Sequence, residues 1–282
     1  MNITPRFLGR GSWLAERDPR VLILVVIVFI FTVVQAWDIR LVLPLAIVAF
    51  LYYRAAGIPF QAVKRNWIFA VTFFTLIVVV NSIITGDRVR GMGITEIHTY
   101  FKIPVLGTPV SAESLTYAVS QWIRYLAMVT VGFPLAFCIA PTDLGTAFAR
   151  LGIPEKFAFG LDLTFRFIPS LAVDYRETID AQRVRGFEPS ARGGPIARLR
   201  RMIPVLTPLT MSAITGAEDT IDAMDLRGFG TGKRTWLRDL RFDRTDYLVV
   251  GAFVALFVFV TVSGYLLGTS TIWVPSFIVP GA

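Results

Sequence analysis

The sequence has almost none of the residues that usually carry chemistry. Its one cysteine, Cys138, excludes an intrachain disulfide. Its one histidine, His98, has only Glu96 close by, whereas a metal site needs several convergent ligands. No H-E-x-x-H or G-x-S-x-G motif occurs, and no span carries paired carboxylates. The run Gly228–Thr235 imitates a phosphate loop, but residue 227 is Arg where the template needs Gly, and Lys233 is followed by Arg234. No catalytic or metal-ligating residue is therefore expected, and an intramembrane enzyme is disfavoured. What is abundant is apolar side chains: 54% of the 282 residues, with a mean hydropathy of +0.61. A soluble globular protein holds about 45–50%.

The excess is gathered into runs long enough to cross a bilayer, which takes about 20 residues at 1.5 Å each. The predicted spans are Val21–Trp37, Leu41–Tyr53 (extendable to Gly57), Asn66–Ile84, Tyr117–Ala140 and Tyr247–Leu267. The first two are candidates for a hairpin through Asp38–Arg40. The expected fold is thus an all-α integral membrane protein with about five or more transmembrane helices. The net charge of +8 fits a positive-inside bias better than binding of nucleic acid. With a cytoplasmic N-terminus, the inner segments 1–20, 54–65 and 141–246 carry 23 of the 28 Lys and Arg. This divides the chain into N-terminal spans (1–140, with an external segment at about 85–116), a cytoplasmic region (141–246), and a C-terminal span with a short tail (247–282). In the external segment, Ile103–Val110 reads as two extended pieces around a Gly-containing turn. Arg124, two turns into the fourth span, is either a functional charge or a snorkelling one. Cys138 is expected to pack as a small hydrophobe.

The region 141–246 carries two helical stripes: Leu161, Phe165, Ile168, Ala172, Tyr175, Ile179, and Leu206, Leu209, Ala213, Ala217, Ile221, Met224. Each follows or contains an Ile-Pro pair (168–169, 203–204), where a helix starts or bends. Both stripes end in nearly the same words. Residues 178–187 read TIDAQRVRGF and residues 220–229 read TIDAMDLRGF, identical at seven of ten positions. Glycine after the last periodic residue is a helix C-cap, and an arginine before it suits the negative pole of the helix. A stop signal alone does not require the upstream T-I-D-A to recur. Two equivalent tips imply two equivalent docking sites.

Pro141-Thr142-Asp143-Leu144, residues 147–154 (AFARLGIP), Arg166-Phe167-Ile168-Pro169 and the two Arg-Gly ends resemble the T component of energy-coupling factor (ECF) vitamin and metal transporters. That family carries two Ala-Arg-Gly motifs at the ends of long cytoplasmic coupling helices; here the alanine is replaced in both, by Val184 and Leu226. The resemblance implies a non-catalytic coupling subunit in a bacterial or archaeal cell membrane. Its implied partners are two ABC-type ATPase subunits, a substrate-binding membrane S component and the lipid bilayer. ATP and Mg would be bound by the ATPases, and no cofactor by this chain. Arg185, Gly186, Arg227 and Gly228 would dock the ATPases. Asp180, Arg183, Asp222 and Asp225 form either a docking rim or a solvated face. Ala213, Gly216 and Ala217 are small enough for close, mobile contact with the S component. The rivals are a self-sufficient secondary transporter, which would show inverted repeats and interrupted spans, and the permease of an ordinary ABC importer.

Overall fold

The computed structural model describes residues 12–85, 99–102, 109–187, 200–232 and 242–266, with isolated positions 194, 196 and 240. Among the described residues, eight helices run α1 (Pro19–Gln35), α2 (Ile39–Ala55), α3 (Phe60–Thr85), α4 (Ala112–Cys138), α5 (Pro141–Arg150), α6 (Glu155–Val184), α7 (Ile203–Leu226) and α8 (Arg244–Leu266). A two-stranded antiparallel hairpin, β1 (Thr99–Lys102) and β2 (Pro109–Ser111), precedes α4. It pairs Phe101 with Val110 and Lys102 with Pro109. The strands therefore lie mostly outside the extended run expected from the sequence, whose centre, 103–108, falls outside the described residues. His98, Glu96 and Lys233–Thr235 fall outside them too.

All five predicted spans are helices, and local chemistry sets their ends. Asp18 accepts the N–H of Arg20 at 2.9 Å, and Pro19 opens α1 with its missing donor at a position that needs none. Asp38 caps α2 in the same way through Arg40, and Gly57 follows it at φ +62°. Two helical segments, Phe60–Ser82 and Arg244–Leu266, are each long and apolar enough to cross a membrane alone. Helices α1 and α2 have 17 residues each, roughly 26 Å of rise. Pro169 lies inside α6, which starts earlier, after Pro154; Ile203-Pro204 does start α7.

The chain forms two compact units, one of α1–α4 with α8 and one of α5–α7. In the first, α4 packs on α1, α2 and α3, and α1 packs on α8. The α1–α2 hairpin suggested by the sequence is not the main packing, because α2 turns chiefly to α4. Phe29 and Tyr52 meet Phe253 edge-on at 6.1 and 5.7 Å, and Trp67 packs on Phe133 at 5.0 Å. Gln35 of α1 and Thr261 of α8 exchange hydrogen bonds of 2.8 and 3.0 Å, a polar link of the kind that holds membrane helices together. The interior is largely apolar, with Phe29, Leu22 and Leu45 fully buried beside the charged Asp18, Asp38, Arg124 and Asp246, while Phe69 and Leu248 are 69% and 72% exposed. Large apolar side chains turned outward on these helices fit lipid as the solvent.

In the second unit, α6 packs on α5 and α7. Few of its side chains are covered: Ala158 is the one fully buried residue described in α6, and Val205 in α7. The stripe positions Phe165, Ala172, Leu209, Ala213, Ala217 and Met224 are half-buried, but Leu161, Ile168, Leu206 and Ile221 stand exposed.

Candidate functional site

The two repeated ends fold into the same local structure. In α6, Gly186 N–H donates to the Arg183 carbonyl at 3.0 Å and Phe187 N–H to the Gln182 carbonyl at 3.0 Å. In α7, Gly228 N–H donates to Asp225 at 2.9 Å and Phe229 N–H to Met224 at 2.9 Å. This crossed pair of bonds is the Schellman cap, and it requires a left-handed residue after the helix. Gly186 and Gly228 take φ +85° and +67°. The preceding arginines, Arg185 and Arg227, occupy the cap position itself, at φ −86° and −89°. The helix end thus throws each guanidinium outward at the negative pole of the helix dipole. Both arginines are exposed, and neither has a hydrogen-bond or ion-pair partner among the described residues.

The tips lie at opposite ends of the unit. Phe229, beside the α7 tip, packs on Phe159 near the start of α6, with ring centres 4.6 Å apart. Arg227 lines an open groove of 340 Å³ with Phe159, Leu163, Arg166, Phe167, Asp219 and Met224. Arg185 sits 26 residues further along α6 than Phe159, roughly 39 Å at 1.5 Å per residue. No single small groove spans that distance.

The flanking residues differ. Arg183 pairs with Asp180 at 3.0 Å, whereas Asp222 and Asp225 have no such partner among the described residues. Ala213 and Ala217 are half-buried; Gly216 is exposed, with open space where a Cβ would stand. Sequence reasoning missed three features. Val184 and Leu226, one residue before each arginine, are both 90% exposed. Gly145 of α5 lies so close to α6 that a Cβ would come within 2.7 Å of the Ala158 carbonyl oxygen. Phe229 anchors the α7 tip to α6. The first was signalled by large aliphatic residues at matched positions of the repeat; the others depend on which helices meet.

The remaining candidates, Arg124 and Cys138, are buried within the first unit. Arg124 is 5% exposed; its guanidinium donates to the Ala36 carbonyl and covers the Trp37 ring at 4.9 Å. Ala36 caps α1, so Arg124 answers one of the carbonyls a helix end leaves unpaired. The Cys138 thiol is buried, 3.9 Å from the Ala56 carbonyl. No cluster of three potential metal ligands occurs among the described residues.

Apolar helices turned outward in one unit and long, thinly packed helices in the other are the marks of a helical membrane protein. The family model described as "Cobalt transport protein" (CbiQ) matches residues 10–236, and the chain belongs to that family. It is similar to the energy-coupling factor transporter transmembrane protein EcfT of Leuconostoc gelidum subsp. gasicomitatum, 28% identical over 91% of this chain and 94% of the relative. Similarity to the protein of that name in Ruminiclostridium cellulolyticum is 28% over 93% and 96%. With that of Exiguobacterium sibiricum it is 34%, over 51% and 58%.

Proposed function

We propose that this chain is the coupling subunit of an ECF-type ABC importer. Arg185 and Arg227 each dock on one of two cytoplasmic ATPase subunits, where ATP and Mg are bound. ATP-driven closure of that pair moves the tips, and α6 and α7 pass the motion to a membrane S component that carries a vitamin or metal ion. Ala213, Gly216 and Ala217 lie on the face offered to the S component, and the N-terminus is cytoplasmic.

The observation that carries this reading is the pair of identically capped tips, each presenting a guanidinium without a partner among the described residues, on opposite ends of one unit. Guanidinium is always charged and offers a planar fork of donors to a carboxylate. One such bond contributes about 1.5–3 kcal/mol. Two in one chain add avidity, so loss of both weakens assembly by a hundredfold or more.

The test is a detergent pull-down of the tagged chain from its native cells, with mass spectrometry. One or two ABC-type ATPases and a small membrane protein should accompany the wild type. The Arg185→Glu/Arg227→Glu double variant should lose the ATPases. Full ATPase recovery with that variant would sink the docking roles. Substrate transport by the purified chain alone would favour a secondary transporter.

A further inference from the structure

We infer that the turn joining α2 to α3 binds the headgroup of an anionic phospholipid through Arg54, Lys64 and Arg65. The site needs the membrane but not the coupling role. All three cations are exposed, and none has an ion-pair partner among the described residues. The surrounding sequence offers none: from residue 39 to residue 86 there is no Asp or Glu. The turn brings the cations together. Only residues 56–59 separate α2 from α3. Tyr53, beside Arg54, meets Trp67, two residues past Arg65, edge-on with ring centres 5.9 Å apart. The Tyr53 hydroxyl and the Trp67 indole N–H are buried there with no hydrogen-bond partner among the described residues. Each cation and each of these two groups can donate a hydrogen bond, and no carboxylate of the described residues accepts one.

Lys64 and Arg65 stand against the electrostatics of their own helix. The start of a helix is its positive pole, and its first N–H groups have no partner within the helix. Helix α3 has no acidic residue in its first turn. A positive-inside bias accounts for the sign of charge on an inner loop. It does not require cations four and five residues into a spanning helix. An anion over the turn answers the helix pole and the cations together. Apolar surface frames the same cations. Phe60, one turn before Lys64, is 58% exposed, and Ile68 and Phe69, one turn after Lys64 and Arg65, are 57% and 69% exposed. The segment Phe60–Ser82 is long and apolar enough to cross a membrane. Lys64 and Arg65 therefore start roughly 6 to 7.5 Å inside its end, and their long side chains reach back to headgroup level. A lipid phosphate lies at that level, with acyl chains continuing past Ile68 and Phe69. A soluble acidic protein matches the charge but leaves those two side chains uncovered.

The experiment is native mass spectrometry of the purified full chain in detergent, titrated with phosphatidylglycerol, with phosphatidylcholine or with inorganic phosphate. Three variants accompany the wild type: Arg54→Gln/Lys64→Gln/Arg65→Gln, the charge-keeping Arg54→Lys/Lys64→Arg/Arg65→Lys, and Lys156→Gln/Arg166→Gln/Arg200→Gln. The last removes equal charge from the other compact unit. All six positions are exposed, and size-exclusion chromatography checks folding. The wild type should retain phosphatidylglycerol in preference to phosphatidylcholine. Glutamine at the turn should weaken that retention by about a hundredfold at low salt, as expected for three charges at a membrane surface. The charge-keeping and remote variants should stay close to wild type. Equal weakening by the remote variant would point to net charge rather than a site and would overturn the inference. So would equal retention of both lipids by the wild type. Displacement of phosphatidylglycerol by inorganic phosphate at equal concentration would mark a free-anion site and overturn it too. If the glutamine turn variant keeps its phosphatidylglycerol but releases the ATPases in the pull-down, the turn is a protein contact and no lipid site.

Discussion

Gly186 and Gly228 hold backbone angles that cost other residues about 1–2 kcal/mol. Alanine at either should fray the final turn and blur the direction of the arginine before it. Hydrogen exchange should show faster exchange at Phe187 or Phe229, with the rest of the helix unchanged; equal protection would mean the cap does not depend on glycine. Two further glycines separate structural from permissive roles. A Cβ on Gly145 would lie 2.7 Å from one α6 backbone atom and 2.9 Å from the Asp162 Cβ, so Gly145→Ala should destabilise the α5–α6 pair by about 1–3 kcal/mol. The same change at Gly216 meets nothing within 4 Å and should stabilise α7 by up to about 1 kcal/mol. Thermal unfolding in detergent should move in opposite directions for the two; a common direction would contradict the packing described. The Arg-Gly tips were legible in the sequence because a cap is a local device. Gly145 was not, since only the meeting of α5 and α6 makes its missing side chain necessary.

At the scale of elements, the start of α8 is held by a charged cluster. Asp243 accepts from the Thr245 hydroxyl at 2.9 Å and from Arg17 at 3.2 Å, and Arg17 also reaches Thr245 and the buried Asp246. The Thr245 hydroxyl above all, then the Arg244 backbone N–H and the Arg17 charge, hold the Asp243 carboxyl below the ordinary carboxylate range. A lowered folded-state pKa means stability that is complete above the unfolded value, near 3.9, and lost as pH falls through the folded one. Unfolding followed below pH 4 should therefore show an acid-dependent loss that Asp243→Asn reduces. An unchanged acid profile in that variant would remove Asp243 from the account. Helix identity in this part of the chain was readable from apolar run length, and the ends α1, α2 and α8 found differ from the expected ones by only a few residues. The partners of Arg17 were not readable, because Asp243 lies more than two hundred residues away in sequence.

For the whole molecule, composition announced the membrane, and the outward exposure of large apolar residues such as Phe69 and Leu248 agrees with it. The repeat announced two like tips. Their separation was invisible in the sequence, since it depends on Phe229 packing back on Phe159 rather than near the other end of α6. The exposure of Leu161 and Ile168 was likewise hidden: an apolar stripe marks a face that can be covered without saying by what. Pro169 gives the long helix a further property. It stands inside the 30 residues of α6, between the Phe159 contact and the Arg185 tip, and deprives the helix of one backbone rung. In the language of beams, α6 is a strut with a single notch. Its bending stiffness is lowest at a place the sequence fixes, so thrust along the strut is relieved as flexure there while the segments on either side stay straight.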